Sequence, residues 1–531
     1  MKIEKSPVVN ASCGPIQGRL FDFEDGHKAL AFQGIPFARA PIGELRFKKP
    51  EALPKWSEVR DCSQFSTMFH CVPSVETTQK MSEDSLHLNV FTPVQSDKHE
   101  KFPVLFFIHG GGFVVDSAKS LGDEEICRLL CSKGIIVVTC EYRLGIFGFL
   151  TLKNGEAKGN YGLWDTTFAL KWTVDNIEAF GGDSKNITVA GQSAGGVAAD
   201  LLSLSPHSRD LFQQLILMAG TSDYELLNMN PKNMQSVFVE YAKHLGAEIN
   251  KSEPVDEQVY KFYKECDAER LALGVRPVPE FKFWPDMRFL IGPCYDNDFF
   301  PKQLDELKKE APRKRIINGL TEHEGLILTV QKAFQPQLSW FDVISDSLKS
   351  IRPDFSEELR DKFVTQAIGK VENDPEFAKR CVQVLSDIMM NSGSLKTTET
   401  RTKHGDHVYN YVFGYYKKGT LGGMEQFLPF AGATHCMELP YLFGKNLFGD
   451  FKIEDVDEEV VDQFTTSLSN FVKTGSPNNT GCSEKWKEFT PDNDVPYFYF
   501  GQNVFETRKG FCSRSSVWNQ IFSEHKRKVE L

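Results

Sequence analysis

A serine between glycines is the residue of this chain best suited to do chemistry. Ser193 lies in the pentapeptide GQSAG at 191–195, directly after the apolar run NITVA at 186–190 and before the helical pattern of 195–203. A sharp turn from strand to helix presents a serine hydroxyl above the end of a sheet, and the helix N-terminus beneath it favours negative charge. The pentapeptide therefore predicts a nucleophile for acyl transfer, with an ordinary glycine-rich turn as the alternative.

A run of glycines could meet the second requirement of acyl transfer, which is a set of N–H donors for the charge that develops on the carbonyl oxygen. His109-Gly110-Gly111-Gly112 follows the strand-like run FPVLFFI at 102–108. Glycines let N–H groups converge without a Cβ, and losing one such donor typically costs roughly 2.7–4 kcal/mol. A glycine-rich turn or a phosphate cradle is the alternative, although the Walker pattern is absent from the sequence. His109 itself is predicted to be structural.

A serine nucleophile also needs a base within hydrogen-bond reach and a carboxylate that orients this base. The histidines well downstream of the serine are His323, His404, His407, His435 and His525. His407 begins the alternating strand pattern HVYNYVF, which favours a structural role for it. Two carboxylates, Glu322 and Glu324, lie in the segment GLTEHEG directly after a strand-like run.

The elements that must position these residues alternate along the chain, which predicts an α/β fold with a large, mostly parallel sheet and helices on both faces. The predicted strands are 102–108, 134–140, 186–190, 211–218, 315–318 and 407–413, and the predicted helices include 161–179 and 195–203. Two charged segments, about 223–312 and 330–403, show helical patterns and few strand signals. Because no Pro/Gly/Ser-rich linker marks a boundary, they are predicted to be helical cap insertions in a single domain over 1–531.

The segments around Ser193 resemble the type-B carboxylesterases and cholinesterases. FGG at 180–182 followed by ITVAGQSAG at 187–195 matches the serine signature of that family. Further matches along most of the chain are FQGIPFA at 32–38, LRF at 45–47, SED at 82–84, YRLGIFGF at 142–149, NYGLWD at 160–165 and FVKTGSPN at 471–478. The resemblance implies the α/β-hydrolase fold and hydrolysis of carboxylic esters. No metal or organic cofactor is implied.

The resemblance also assigns roles to individual residues. The catalytic residues that it implies are Ser193, Glu324 and His435, and the oxyanion-hole residues that it implies are Gly111, Gly112 and Ala194. His435 lies in GATHCMELP, which is similar to the family's histidine loop, and Glu322 is the alternative acid. Two internal ion pairs of the family, predicted to be structural, are implied as well: Arg46 with Glu83, and Arg143 with Asp165.

The chain departs from the family pattern at several positions. Ser85 stands where the family has a cysteine, so the bridge that Cys71 would form cannot exist. Gln192 replaces a frequent glutamate, and Ala219 replaces a serine that supports the acid. The short segment 71–85 contains no aromatic residue that could bind a quaternary ammonium group, so a cholinesterase is not expected.

Composition and charge limit the cellular location and the binding partners that the sequence predicts. The net charge of −11 argues against a nucleic-acid binder. The N-terminus MKIEKSP lacks the apolar region of a secretory signal, and no apolar stretch is long enough to span a membrane. Most of the twelve cysteines are therefore expected to be free thiols of a cytoplasmic protein. The tail KVEL at 528–531 resembles an ER-retention signal, which leaves the ER lumen as the alternative location.

The sequence thus predicts a serine carboxylesterase that acts on small lipophilic esters through an acyl-enzyme. A non-catalytic binding or adhesion protein of the same family is the alternative from another class, and an esterase specialised for a hormone or pheromone would share the mechanism. The sequence specifies no oligomeric state. The aromatic residues predicted either to line the pocket or to be plain core are Phe113, Phe283, Trp284, Phe289, Phe299 and Phe300.

Overall fold

A computed structural model gives the fold of the chain. It describes residues 1–531 except 72–79, 95–100, 154, 228, 251, 274–290, 331, 333–336, 370–374, 447–448, 450, 479–483, 493 and 526–531. The KVEL tail and the candidate pocket residues Phe283, Trp284 and Phe289 lie outside the described residues.

One twisted sheet forms the centre of the described part of the chain, with thirteen strands. These are β1 Lys2–Ala11, β2 Gly14–Asp22, β3 Lys28–Pro36, β4 Arg60–Asp61, β5 His87–Pro93, β6 Phe102–Ile108, β7 Ile136–Cys140, β8 Gly182–Gln192, β9 Gln214–Met218, β10 Arg315–Thr321, β11 His407–Phe413, β12 Tyr497–Gly501 and β13 Val504–Arg508. Their order is β1-β2-β3-β5-β7-β6-β8-β9-β10-β11-β12-β13, and β4 pairs with β2. The strands from β7 to β12 in this order run parallel, and the two ends of the sheet are antiparallel.

The central strands read as continuous apolar runs because helices cover both of their faces. In β6, Val104, Phe106 and Ile108 pack into one hydrophobic cluster, whereas Leu105 and Phe107 pack into a second cluster on the other face. Successive side chains of a strand point to opposite faces, so one uninterrupted run supplies both layers of the core. The structure thereby confirms the predicted α/β-hydrolase fold, with a large, mostly parallel sheet flanked by helices.

Helices occupy both faces of the sheet and much of the two predicted insertions. Outside the insertions they are α1 Glu124–Leu129, α2 Gly145–Phe149, α3 Tyr161–Asn176, α4 Ala194–Leu202, α13 Leu439–Phe443, α14 Glu458–Thr474 and α15 Ser516–Glu524. The first insertion carries α5 Pro231–His244, α6 Val255–Glu265, α7 Ala268–Leu273 and α8 Leu304–Glu310. The second carries α9 Trp340–Ile351, α10 Glu357–Ile368, α11 Pro375–Ser386 and α12 Ser392–Lys403, with a π-helical turn at Asp387–Asn391. That all of this is a single domain stays a prediction.

The two ion pairs implied by the sequence are present. Arg46 donates to both carboxylate oxygens of Glu83 and also to backbone carbonyls of the first insertion, among them that of Cys266 at 2.7 Å. Arg143 binds Asp165 through two bonds of 2.7 Å, and both side chains are fully buried. Bidentate pairs of this kind fix geometry as well as charge. They hold the first insertion and helix α3 in place against the sheet.

The described part of the chain contains neither a disulfide bond nor a helix that could span a membrane. The eleven cysteines among these residues, Cys71 included, are free thiols. None of the helices within these ranges combines the length and the apolar character that crossing a bilayer requires.

Candidate active site

The predicted nucleophile lies on a strained turn. Ser193 follows β8 directly and has φ 55° and ψ −125°, a backbone conformation that is costly for a residue with a Cβ. Its N–H donates to the carbonyl of Met218, at the end of β9, over 2.8 Å. The residues on either side are buried whereas Ser193 itself is partly exposed. The turn therefore presents the hydroxyl at the carboxyl end of the sheet, where ligands bind in open parallel sheets.

Glycines make this turn possible because the backbone approaches itself closely there. A Cβ on Gly191 would lie 2.2 Å from the carbonyl of Gly195, and a Cβ on Gly195 would lie 2.1 Å from the carbonyl oxygen of Ile108. Both distances are far below van der Waals contact, and the opposing atoms are backbone. The two glycines of the GQSAG pentapeptide are therefore required by packing.

Gly220 supports the Ser193 turn from below, although no motif in the sequence marks this glycine. A Cβ at this position would lie 2.0 Å from the carbonyl oxygen of Ser193. We expect Gly220→Ala to displace Ser193, to lower the stability by about 1–3 kcal/mol as overpacking does, and to reduce esterase activity. Thermal unfolding and ester hydrolysis would measure these effects. Gly423→Ala is the control because a Cβ there meets nothing within 4 Å; equal stability of the two variants would contradict the prediction.

The glycine strip at 110–112 lies against the Ser193 turn, as the oxyanion-hole prediction requires. A Cβ on Gly110 would be 3.3 Å from the Cβ of Ser193. Gly111 and Gly112 have φ 92° and 61°, and within the described residues their N–H groups donate to no protein acceptor. Ala194 is the first residue of α4, where an N–H has no acceptor inside its own helix. The structure therefore brings the three predicted donors to the same end of the sheet as Ser193.

The predicted acid and base are in direct contact. Nδ1 of His435 lies 2.6 Å from Oε2 of Glu324, which is fully buried directly after β10. The other carboxylate oxygen, Oε1, accepts the N–H of Thr321 at 2.6 Å. This arrangement places the proton of a neutral imidazole on Nδ1 and leaves Nε2 as an acceptor.

Burial and neighbouring charges shift the pKa of His435 in opposite directions, and the effects that raise the pKa dominate. Burial opposes the charged imidazolium, but the Cys436 sulfur and the Glu324 carboxylate favour it, so the pKa of His435 is raised above its ordinary value. The thiol of Cys436 is itself buried, and this burial raises its pKa. A thiol with a raised pKa is neutral at pH 7, so the part of the shift that requires a Cys436 thiolate is absent there, and the Glu324 carboxylate is the charge that favours the imidazolium.

Gln192 connects the base to the nucleophile turn. Nε2 of His435 lies 3.4 Å from the amide nitrogen of Gln192, the residue directly before Ser193. The thiol of Cys436 donates to Oε1 of Gln192 at 3.3 Å, which orients the amide nitrogen toward the imidazole. Ser193 itself forms no hydrogen bond to His435 among the described residues. The amide of Gln192 is thus in contact with Nε2 of His435 in this structure.

Substitution of Gln192 by glutamate tests the electrostatics of this contact. A carboxylate 3.4 Å from Nε2 in a buried position favours the imidazolium, so the pKa of His435 should rise further. Because the predicted base can accept a proton only when it is neutral, we expect Gln192→Glu to move the acid limb of the kcat/KM profile to higher pH, by about one unit. A profile measured from pH 5 to 9 checks this, with Gln192→Ala as the uncharged control. An unchanged limb would contradict the placement of Gln192 beside the base.

Glu438 is a buried carboxyl near this site, and in the sequence it is marked only as a member of the GATHCMELP segment. Both of its side-chain oxygens are without a partner in the described part of the chain. Burial, together with the charge of Glu324, raises the pKa of Glu438 to about 8. It is therefore protonated at neutral pH, and Glu324 is the charged member of this carboxylate pair.

The remaining candidate residues lie outside the contact between Glu324 and His435. Glu322, the alternative acid, is exposed and accepts a hydrogen bond from the hydroxyl of Tyr499 at 3.2 Å, so it does not contact His435. Ala219, with φ 46°, follows β9 and donates its N–H to Gly319. The described candidate pocket residues Phe113, Phe299 and Phe300 are fully buried. Phe113 packs edge-on against Phe149, next to the glycine strip.

The parallel sheet, the strained serine after β8 and the acid–histidine contact after β10 and β11 together define the class of an α/β-hydrolase. Comparison with known protein families specifies it further. The chain belongs to the carboxylesterase family, whose family model matches residues 5–515.

Similar proteins cover nearly the whole chain. The esterase cest-33 of Caenorhabditis elegans is 36% identical over 499 residues, which are 91% of this chain and 88% of that protein. Gut esterase 1 of Caenorhabditis briggsae is 29% identical and covers 97% of this chain and 92% of its own length. A medium-chain fatty acyl-CoA hydrolase precursor of Anas platyrhynchos is 27% identical and covers 99% and 94%.

Proposed function

We propose that the protein is a serine carboxylesterase that hydrolyses carboxylic esters through an acyl-enzyme on Ser193. The observation that carries the proposal is the 2.6 Å contact between Glu324 and His435, made beside a strained turn that exposes the serine hydroxyl. A binding protein of this fold has no need for a buried carboxylate that orients a histidine. Strain of this kind is typical of functional sites.

The first half of the proposed reaction forms the acyl-enzyme. Nε2 of His435 takes the proton of the Ser193 hydroxyl as Oγ attacks the ester carbonyl carbon. The contact between Oγ and Nε2 tightens as the substrate binds, because catalytic hydrogen bonds shorten on the way to the transition state. The oxyanion receives hydrogen bonds from the N–H groups of Gly111, Gly112 and Ala194. His435 then returns the proton to the leaving alkoxide, and the alcohol departs.

The second half restores the enzyme. A water molecule gives a proton to His435 and attacks the acyl carbon, the second tetrahedral intermediate collapses, and the carboxylic acid is released while Ser193 regains its proton. Glu324 stays ionised throughout and stabilises the imidazolium twice in each cycle. No step requires a metal or an organic cofactor.

The substrate class follows from the surroundings of the site. Phe113 and Phe149 are fully buried and pack against each other beside the glycine strip, and the helical insertions add further apolar side chains to the same core cluster. We therefore propose uncharged, lipophilic esters of small size as substrates. The names of two relatives, an esterase and a fatty acyl-CoA hydrolase, support carboxylic esters and extend the proposal to thioesters.

Active-site labelling tests the proposal directly. The protein is treated with a fluorophosphonate, and the labelled peptide is located by mass spectrometry, while hydrolysis of p-nitrophenyl acetate and butyrate is followed in parallel. We expect one label on Ser193 and loss of turnover in proportion to labelling. If the folded protein shows neither turnover nor label, the serine esterase is excluded and the non-catalytic binding protein takes its place.

A further inference from the structure

Two buried titratable side chains face each other behind the glycine strip. His109 follows β6 and Glu141 follows β7, and these two strands are parallel neighbours whose last paired residues are Phe107 and Thr139. Each side chain lies two residues beyond this pair, on the same face of the sheet because the side-chain period of a strand is two. Strand register therefore brings His109 and Glu141 together at the edge of the proposed oxyanion hole.

The imidazole of His109 has one satisfied nitrogen and one free nitrogen. Nδ1 lies 3.1 Å from the carbonyl oxygen of Gly110, so it carries the proton and donates. Nε2 is fully buried, has no hydrogen-bond partner within the described residues, and lies 4.0 Å from Oε2 of Glu141. Burial lowers the pKa of His109, which keeps the ring neutral and Nε2 an acceptor.

Among the described residues, the carboxyl of Glu141 likewise has one oxygen with hydrogen-bond partners and one oxygen without. Oε1 accepts hydrogen bonds from the hydroxyl of Ser117 at 2.6 Å and from the N–H of Ala118 at 3.0 Å. Oε2 is buried and has no partner in the part of the chain that the structure describes. Burial raises the pKa of Glu141 to about 8, so the group is neutral at pH 7. Since Oε1 already accepts two hydrogen bonds, the proton belongs on Oε2, which faces His109.

Tyr142, the residue after Glu141, binds the backbone of the segment that contains His109 and Gly110. The hydroxyl of Tyr142 donates to the carbonyl of His109 at 3.0 Å and lies 3.4 Å from that of Gly110. Its ring also stacks on the imidazole, with the centroids 4.5 Å apart. Tyr142 therefore holds the main chain of the strip, and Glu141 is the group available to hold the His109 ring.

We infer that Glu141 is a positioning residue for the oxyanion hole: its protonated carboxyl donates from Oε2 to Nε2 of His109, and this pair fixes Gly110 and the N–H donors that follow. The 4.0 Å gap closes by a small rotation of the Glu141 side chain or through one bridging water molecule. The inference rests on the proposed esterase function and adds a residue to it. Glu141 acts through His109 and does not touch the substrate.

Ionisation of Glu141 removes the donor from this pair. The groups that face it are Asp116, whose charge opposes ionisation, the thiols of Cys71 and Cys140, and the hydroxyl of Tyr142. Burial raises the pKa of the Cys71 thiol to about 12 and also raises the pKa values of Cys140 and Tyr142, so these three stay neutral. Glu141 is thus the group of this cluster that changes charge near pH 8. A carboxylate would present lone pairs to Nε2 and release the ring.

The test is the pH profile of kcat for p-nitrophenyl butyrate, corrected for spontaneous hydrolysis, in wild type and two variants. We expect the wild-type kcat to fall about tenfold from pH 7 to 9 as Glu141 ionises. Glu141→Gln cannot ionise and still offers an N–H to Nε2, so it should keep the kcat of wild type at pH 7 and lose the alkaline limb. Glu141→Ala should lower kcat at least tenfold at every pH, with KM within threefold of wild type.

The control is Asp387→Asn, another buried carboxyl with a raised pKa, which bonds Ser515 and Asn391 instead of the strip; it should keep the alkaline limb. A limb that keeps its full depth in Glu141→Gln overturns the inference, even if Glu141→Ala does not fold, because Glu438, whose pKa is also raised to about 8, would then account for the whole limb. Wild-type turnover with a fluorophosphonate label on Ser193 shows that only the inference has failed. Absence of both in the wild type overturns the esterase function and the inference together.

A second measurement does not depend on turnover. A carboxyl with a pKa raised in the folded state binds its proton more tightly there than in the unfolded chain, so its contribution to stability is lost as pH rises from about 4.5 to 8. The melting temperature of Glu141→Gln minus that of wild type should therefore increase as pH rises through this window. A constant difference between the two would show that Glu141 is already ionised and would overturn the inference.

Discussion

Replacing Ser193 with alanine is expected to lower kcat for p-nitrophenyl butyrate by about 10⁶-fold, since the nucleophile and its base act as one unit. The fold should persist, because alanine retains the Cβ that the strained φ of 55° already accommodates. The hydrogen bond from the backbone of residue 193 to Met218 does not depend on the hydroxyl. KM should change little, because the hydroxyl adds no binding that the ground state needs. Steady-state kinetics and circular dichroism would measure these expectations.

Ser222→Ala is the matched control for this substitution. Ser222 lies shortly after β9 and, unlike Ser193, is buried, and its hydroxyl has no hydrogen-bond partner among the described residues. Its removal should leave kcat within about twofold, the range expected when a group outside the reaction is lost. If Ser193→Ala kept more than one hundredth of wild-type activity, a different nucleophile would have to carry the reaction.

The central strands could be predicted from the sequence because burial on both faces leaves a clear apolar signature. The predicted runs 102–108 and 407–413 coincide with β6 and β11 residue for residue. Strand β1 was not predicted, since its sequence KIEKSPVVNA is mostly exposed and polar. It is a strand because it pairs with β2 at the edge of the sheet, and such long-range pairing has no local signal.

Only those parts of the site that lie within contiguous motifs could be predicted from the sequence. The GQSAG turn and the glycine strip are contiguous, so their local geometry follows from the residues themselves. Glu322 and Glu324 are two positions apart, and only the turn after β10 directs one of them to His435. The contact between His109 and Glu141 depends on the register of two strands, and Gly220 matters only because Ser193 lies above it. These relations arise from tertiary packing, which spacing alone does not encode.

Replacing Glu324 with glutamine is expected to lower kcat by about 10⁴-fold through the wrong tautomer of the base. The N–H of Thr321 binds Oε1, so the carbonyl oxygen of the glutamine must take that place and its NH₂ group must face Nδ1 of His435. Nδ1 then becomes an acceptor, and the proton moves to Nε2, where it blocks uptake of the Ser193 proton. The acid limb of the residual activity should also move to lower pH, because the carboxylate that raises the pKa of His435 is gone.

The control for Glu324→Gln is the same substitution two residues earlier. Glu322 is exposed and bonds Tyr499, so Glu322→Gln should change kcat less than threefold and leave the acid limb of the pH profile in place. Measuring kcat/KM from pH 5 to 9 for both variants separates the two carboxylates, because each substitution removes one charge without a change in shape. A large loss in Glu322→Gln with little loss in Glu324→Gln would reverse the assignment of the acid. A large loss in both would mean that the segment as a whole, and not one carboxylate, orients His435.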